Sequence, residues 1–420
     1  MDRLPGFRDF YPEPLPHPDV WSAELRQYTF DQWRAMARRY GFREYDGPPL
    51  EGLELFITKS GEEIVGQLYN FKDKGDREVS LRPEMTPTLA RMIAAHERAY
   101  KKPVKWFAIP QLFRYERQQK GRLREHFQFN ADIIGETDPA ADAELIALLI
   151  DTLRSFGLTA EDFVIRLSSR NAWHDFFVQH NGKPEREYEF FQIIDKLERE
   201  KPEESDEKLG RMAFSRSAVS AFIAKGEPTA ELGAILSNLT ARSLGDYVKI
   251  DYQVIRGLAY YTGIVFEAFD RKREFRAIAG GGRYDNLVKL MSGGKVDLPA
   301  LGFGMGDVVL AELLKARKLV PSFDARLDAF CLIEAEELRP ASLKLIQELR
   351  SAGLSVDYSL TSAKSDKQFK RAQELKAAHT LKLEANPSGE LTARIRNLKS
   401  REEWTGNPTE AASRLRSKAA

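Results

Sequence analysis

Cations and carboxylates crowd one stretch of the chain, FRYERQQKGRLREHFQF at residues 113–129. Arg114, Arg117, Lys120, Arg122 and Arg124 stand there among Glu116, Glu125, His126 and Gln128. The simplest use of such a run is the wet face of a hairpin. Arg114 and Glu116, however, fall on one face of an apolar strand, where an unpaired charge is costly to bury. A strand arginine facing a pocket suits an anion, because its planar fork meets two phosphate or carboxylate oxygens at once. LRPEMTPTLA at 81–90 also allows two uses. Thr86 ahead of Pro87 reads as a helix cap, and Glu84 with Thr86 reads as a receptor for an ammonium group.

Three later stretches carry glycine or unusual polarity. RGLAYYTG (256–263) sets an arginine, two tyrosines and a threonine directly before the strand-like IVFEAF. AGGGRYDNL (279–287) offers backbone amides to a phosphate, or makes a tight strand-to-helix turn. GFGMG (302–306) precedes a helix but lacks the spacing of a dinucleotide-binding turn.

The elements that must position these residues follow from period and punctuation. Trp21, Leu25, Tyr28, Trp33, Met36 and Tyr40 predict a helix over residues 17–40, stopped by Gly41. A proline-broken extended segment follows, and LYNFKDKGDREVSLRPE reads as a hairpin turning at KDKGD. VKWFAIPQLFRYER and FQFNADIIGE form a second strand pair, and ETDPAADAELIALLIDTLRSFGL is a helix closing at Gly157. Residues 170–244 turn helical and highly charged, as an insertion would, before strands return. From VPSFDARL onward the order β-α-β-α-β predicts a small, separate, mostly parallel α/β domain.

The order of these motifs resembles the class II aminoacyl-tRNA synthetases: a helix with PPLE, then FRYE with its loop and return strand, then GFGMG before a helix. RGLAYYTG and AGGGRYDNL are similar to the two signature peptides of the histidyl-tRNA synthetase family, and LPGFRDFYP and LRPEMTPTLA are also like it. The resemblance covers essentially the whole chain. It implies an α+β catalytic core, an antiparallel sheet flanked by helices, in segments 1–169 and 245–320. A helical insertion at 170–244 and an anticodon-binding α/β domain at 325–420 complete it. The implied activity joins L-histidine to its tRNA through an adenylate made from ATP with Mg²⁺, in a homodimer, with no metal held by side chains.

The resemblance also implies roles. Arg114 corresponds to the arginine on the α-phosphate and the amino-acid carboxylate, and Arg256 to the histidyl-specific arginine opposite it. Glu116, Arg122 and Phe127 belong with ATP, as do Gly281, Arg283 and Gly304. Glu84, Thr86 and Gln128 correspond to positions that take the amino group of histidine. Asp132, Tyr260 and Tyr261 line the imidazole pocket. Three positions depart from the family pattern. Asp132 is one methylene shorter than the common glutamate, and Ala259 replaces an aspartate. The third motif, which usually ends Gly-x-Glu-Arg with the arginine stacked on adenine, reads GMGDVVL, placing Asp307 and Val308 there. Arg283, or Phe127 and Phe129, are left to stack on the ring. An altered third motif also suits a catalytically silent relative, the histidine-binding regulatory subunit of ATP phosphoribosyltransferase. Such relatives generally lack the signature arginine and the last domain.

Composition bounds the remaining possibilities. Over 420 residues, 64 Lys and Arg nearly cancel 63 Asp and Glu, so a nucleic-acid partner cannot be argued from net charge. Basic residues concentrate locally in KSDKQFKRAQELK, where phosphate contact is expected. One cysteine, Cys331 in an apolar run, excludes an internal disulfide and fits a reducing compartment. The first residues lack a signal-peptide core and no window suits a membrane span, so a cytoplasmic protein is expected.

Overall fold

In a computed structural model, residues 2–60, 62–115, 121, 123–198, 200–256, 260–323 and 327–416 are described. The chain divides into two units, Met1–Val320 and Pro321–Ala420, and each hydrophobic cluster among the described residues lies within one of them.

The first unit is built around one nine-stranded sheet. Its strands are β1 (Arg43–Glu44), β2 (Val104–Ala108), β3 (Gln111–Phe113), β4 (Glu125–Ile134), β5 (Phe163–Ser169), β6 (Val248–Ile250), β7 (Ile264–Asp270), β8 (Ala279–Arg283) and β9 (Ala300–Gly306). They lie in the order β6-β5-β7-β8-β9-β4-β2-β1, with β3 also paired to β4. Every pairing from β5 to β2 is antiparallel, and each edge strand is parallel to its neighbour.

Helices α1 (Ala23–Arg39) and α4 (Pro139–Arg154) bury one face of the sheet, with Trp33, Met36, Leu145 and Leu149 packing in one cluster with Phe129, Ile133 and Phe303. Helix α1 starts later than its apolar period suggests. Ser22 caps it by accepting from the Leu25 amide at 3.1 Å, and Trp21–Ser22 pairs as a short strand with Phe10–Tyr11. It ends at Gly41, whose φ of 77° is the left-handed stop that favours glycine. On the other face α3 (Thr86–Ala95) clusters Leu89 and Ile93 with Val104 and Ile134, α2 (Leu53–Ser60) packs by a small three-stranded sheet of Leu50–Gly52, Glu78–Leu81 and Asn70–Lys72, and α5 (Asp307–Ala316) leaves directly from β9. Between residues 170 and 241 the chain is helical. Trp173, Phe177, Phe190 and Leu232 join the core of the sheet, so this segment has no core of its own.

The second unit holds β10 (Ala329–Cys331), β11 (Val356–Tyr358), β12 (His379–Ala385), β13 (Leu391–Asn397) and β14 (Glu403–Gly406) in the order β11-β10-β12-β13-β14. Only β10 with its two neighbours is parallel; β12, β13 and β14 pair antiparallel, so the expected parallel sheet is half of a mixed one. The alternation in LTARIRN and the following EWTG make the two added strands. Helices α6 (Arg339–Ser351), α7 (Ser365–Glu374) and α8 (Ala411–Arg416) accompany them. Cys331 is fully buried in β10, and burial pushes its thiol up to about 12. No helix among the described residues is long and apolar enough to cross a membrane.

Candidate active site

Strand alternation makes the site. On β9, Leu301, Phe303 and Met305 enter the core, so Gly302, Gly304 and Gly306 face the other way. The neighbouring β8 pairs Gly280 with Gly304 and Gly282 with Gly302. The result is a floor with no side chains. GFGMG is thus a period-two strand pattern rather than a phosphate loop. A β-carbon on Gly302 would overlap the Asp132 carboxylate, one on Gly280 the Arg256 guanidinium, and one on Gly304 would lie 2.7 Å from the Gln128 amide. Glycine here is room for three functional side chains.

The walls rise around that floor. Asp132 is 3% exposed on β4 and accepts a hydrogen bond from the Tyr284 hydroxyl. Burial raises its carboxyl to about 7, against the opposing pull of Tyr284 and Lys59. Tyr260 and Tyr261 pack with ring centroids 4.5 Å apart, and Tyr284 meets Tyr260 edge-on. Glu84, just before α3, pairs with the Lys59 ammonium, which lies 3.7 Å from the Tyr260 ring centroid. The Arg114 Nε donates to the Pro83 carbonyl at 3.0 Å, and its charge reaches both Lys59 and Tyr260. Arg114 therefore lies just beyond β3 rather than within a strand. Thr86 opens α3, but the cap is Met85, which makes no side-chain capping bond, so Thr86 is not the expected cap.

Arg256 reaches the floor from the segment before β7. Its backbone φ is 49°, a left-handed conformation costly for a residue with a β-carbon. The guanidinium lies over Gly280, pairs with Glu267 of β7 at 3.1 Å and stands 5.2 Å from the Tyr261 ring centroid. Its buried Nε has no acceptor among the described residues, a cost that a bound anion would remove. Next to Glu267 a cavity of about 880 Å³ opens, lined also by Ile255, Arg273, Arg276 and Val309.

Four expectations fail on geometry. Phe127 and Phe129 point to the core side of β4: Phe127 packs 5.0 Å from Phe30 and Phe129 5.7 Å from Trp33. Neither ring can reach a ligand on the Gln128 face. Gly281 also faces the core, where a β-carbon would meet Phe303 and Phe266; Gly280 and Gly282 are the open pair. Arg283 is spent on structure, bonded to Asp142 at 3.0 Å and to the Glu136 and Asp138 carbonyls at 2.9 and 3.0 Å. Glu116, Arg122 and Ala259 lie outside the described residues.

Two features escaped the motif reading. Lys59 continues the buried stripe of Leu53 and Phe56 on α2, so a lysine at a core position was the available signal. Burial lowers its pKa even though Glu84 and Tyr261 oppose the shift. Arg8 is the second. Its guanidinium, 1% exposed, binds Glu125 at 2.6 Å and Asp307 at 2.8 Å, beside the rings of Phe10 and Trp21. Asp307 also accepts from the Phe127 amide at 3.0 Å. It therefore serves this ion pair, not the glycine-floored face of the sheet.

An antiparallel sheet with a bare glycine floor, ringed by arginines and carboxylates and closed by the helix after β9, defines a class II aminoacyl-tRNA synthetase. The solved histidyl-tRNA synthetase of Nostoc sp. PCC 7120 has this fold, with a TM-score of 0.77 at 22% identity, over 97% of this chain and 98% of that one. Residues 19–307 match the histidyl-tRNA synthetase family model and residues 327–418 an anticodon binding domain. A histidine–tRNA ligase of Opitutus terrae is 44% identical over 95% of this chain and 94% of its own length. The chloroplastic/mitochondrial histidine–tRNA ligase of Arabidopsis thaliana is 39% identical over 89% and 78% respectively. The chain belongs to the histidyl-tRNA synthetase family.

Proposed function

We propose that this chain is a histidine–tRNA ligase and that the glycine-floored site carries out both half-reactions. What supports the reading is that Arg256, Arg114 and Glu84 all bear on Tyr260, while Arg256, Gln128 and Asp132 fill the space over Gly280, Gly304 and Gly302. In the first step the histidine carboxylate attacks the α-phosphorus of ATP. The bond to the bridging oxygen breaks, and pyrophosphate leaves with the electron pair. Arg114 and Arg256 orient the reactants and stabilise charge on the phosphoryl oxygens, without acting as nucleophiles. Mg²⁺ enters as part of the ATP substrate, shielding its triphosphate. In the second step a 3′-terminal ribose hydroxyl of the tRNA attacks the adenylate carbonyl and AMP departs.

Selectivity follows from polar pairing. Asp132, positioned by Tyr284, and Tyr261 address the imidazole, while Glu84, Thr86 and Gln128 address the ammonium, with Tyr260 as the adjoining wall. An amino acid lacking ring nitrogens leaves the second carboxyl oxygen of buried Asp132 without a partner, which discriminates by about 10⁴ without an editing domain. Family membership supports the remaining details, a homodimer in the cytoplasm and tRNA contact by the second unit.

Histidine-dependent exchange of pyrophosphate into ATP is the test. Exchange with another amino acid would reassign the substrate; none would return the regulatory-subunit reading. Arg256→Ala is expected to retain histidine binding by calorimetry while exchange falls at least about 10²-fold, the scale of losing one preorganised donor. Unchanged turnover would remove Arg256 from the mechanism.

A further inference from the structure

The first turn of α5 brings no cation to the site. The expected placement of the third motif's glutamate and arginine on Asp307 and Val308 shifts by one residue: counted from Gly306, Gly-x-Glu-Arg puts them on Val308 and Val309, and Asp307 is turned away to Arg8. Val309 nevertheless lines the cavity that contains Glu267, the partner of Arg256. The connection between β7 and β8 reaches the same place. Measured from a β-carbon built on Gly121, Val309 Cγ2 is 3.5 Å away and Arg276 Cδ 3.8 Å. Arg276 is exposed to that cavity, whereas Val309 is 8% exposed.

We propose that Arg276 supplies the guanidinium that α5 lacks and lies against the adenine ring of ATP beside the methyl groups of Val309. The inference rests on reading this cavity as the nucleotide side of the proposed site. Its volume suits a small-molecule ligand. Asp195, Glu198 and Glu267 also line it, so an incoming polyanion requires cations there. A guanidinium is flat and delocalised, and stacks on a ring face in a way that an ammonium does not. The arginine has moved from the helix to a loop, with its place on the cavity wall retained.

The test compares wild type, Arg276→Ala, Arg276→Lys, Arg273→Ala and the double variant Arg276→Ala/Val309→Arg. Arg276→Ala is expected to raise KM for ATP and the Kd of ATP by calorimetry about tenfold, the loss of one cation–π contact, with KM for histidine unchanged. The lysine variant should recover little, and the double variant most of the loss. Unchanged ATP affinity in Arg276→Ala, full recovery by lysine, or a loss confined to Arg273→Ala would overturn the assignment. Calorimetry keeps it distinct from the wider reading: ATP binding that depends on Arg276 supports it even if exchange proves to need another amino acid.

Discussion

Asp132 is buried and hydrogen-bonded yet held near its point of titration at neutral pH. In the unfolded chain an aspartate titrates near 4. Between about pH 4 and pH 7 the unfolded state therefore loses a proton that the folded state keeps. Stability from this group is full below the unfolded value and is lost as pH rises through the folded one. Asp132→Asn abolishes that dependence and keeps an oxygen for the Tyr284 hydroxyl. On passing from pH 4 to pH 8, the variant should gain on wild type by roughly 2–4 kcal/mol in urea unfolding. A gap that does not change with pH would show that the carboxyl ionises normally in the fold.

At the scale of elements, Arg8 links the N-terminal segment to β4 and α5 by pairing with Glu125 and Asp307. Removing a cation from a buried cluster leaves two carboxylates facing each other without compensation. Arg8→Ala should cost about 3–5 kcal/mol in denaturant unfolding, with part restored by adding Asp307→Asn. A loss below about 1 kcal/mol would mean that the cluster is solvated. Motif order carried the identity of the core, because RGLAYYTG, FRYE and AGGGRYDNL could be read without coordinates. Orientation was only partly readable. Period two separates Gln128 from Phe127 and Gly280 from Gly281, but only once β4 and β8 are known to be strands buried on one face. Nothing local announced that Arg283 would bind Asp142, 141 residues earlier in the chain. The same is true of Arg8 and Asp307, 299 residues apart. Pairings of that separation are products of tertiary packing.

At the scale of the molecule, each unit has its own hydrophobic clusters. In the second, Gln368 ties α7 to β10's continuation by donating to the Ile333 and Ala363 carbonyls at 2.7 Å and accepting from the Ile333 amide at 2.9 Å. That anchor leaves Lys364, Lys367, Lys370 and Arg371 exposed. Exchanging these four for glutamate should weaken tRNA binding and flatten its salt dependence while leaving histidine-dependent exchange intact, since the proposed activation site lies in the first unit. Filter binding at two salt concentrations, beside the exchange assay, checks both halves. An unaltered salt slope would put the tRNA backbone on another surface.

The bare floor also limits how the pocket could be redesigned. Wherever β8 and β9 face the ligand, the side chain is already hydrogen, so no volume is left to remove from below. Adding even a methyl group at Gly302, Gly304 or Gly280 intrudes on Asp132, Gln128 or Arg256 respectively. A larger imidazole analogue can therefore be admitted only by cutting back the walls, at Tyr284, Tyr260 or Lys59, each of which also holds a neighbour in place. Substrate range in this pocket is easy to narrow and hard to widen.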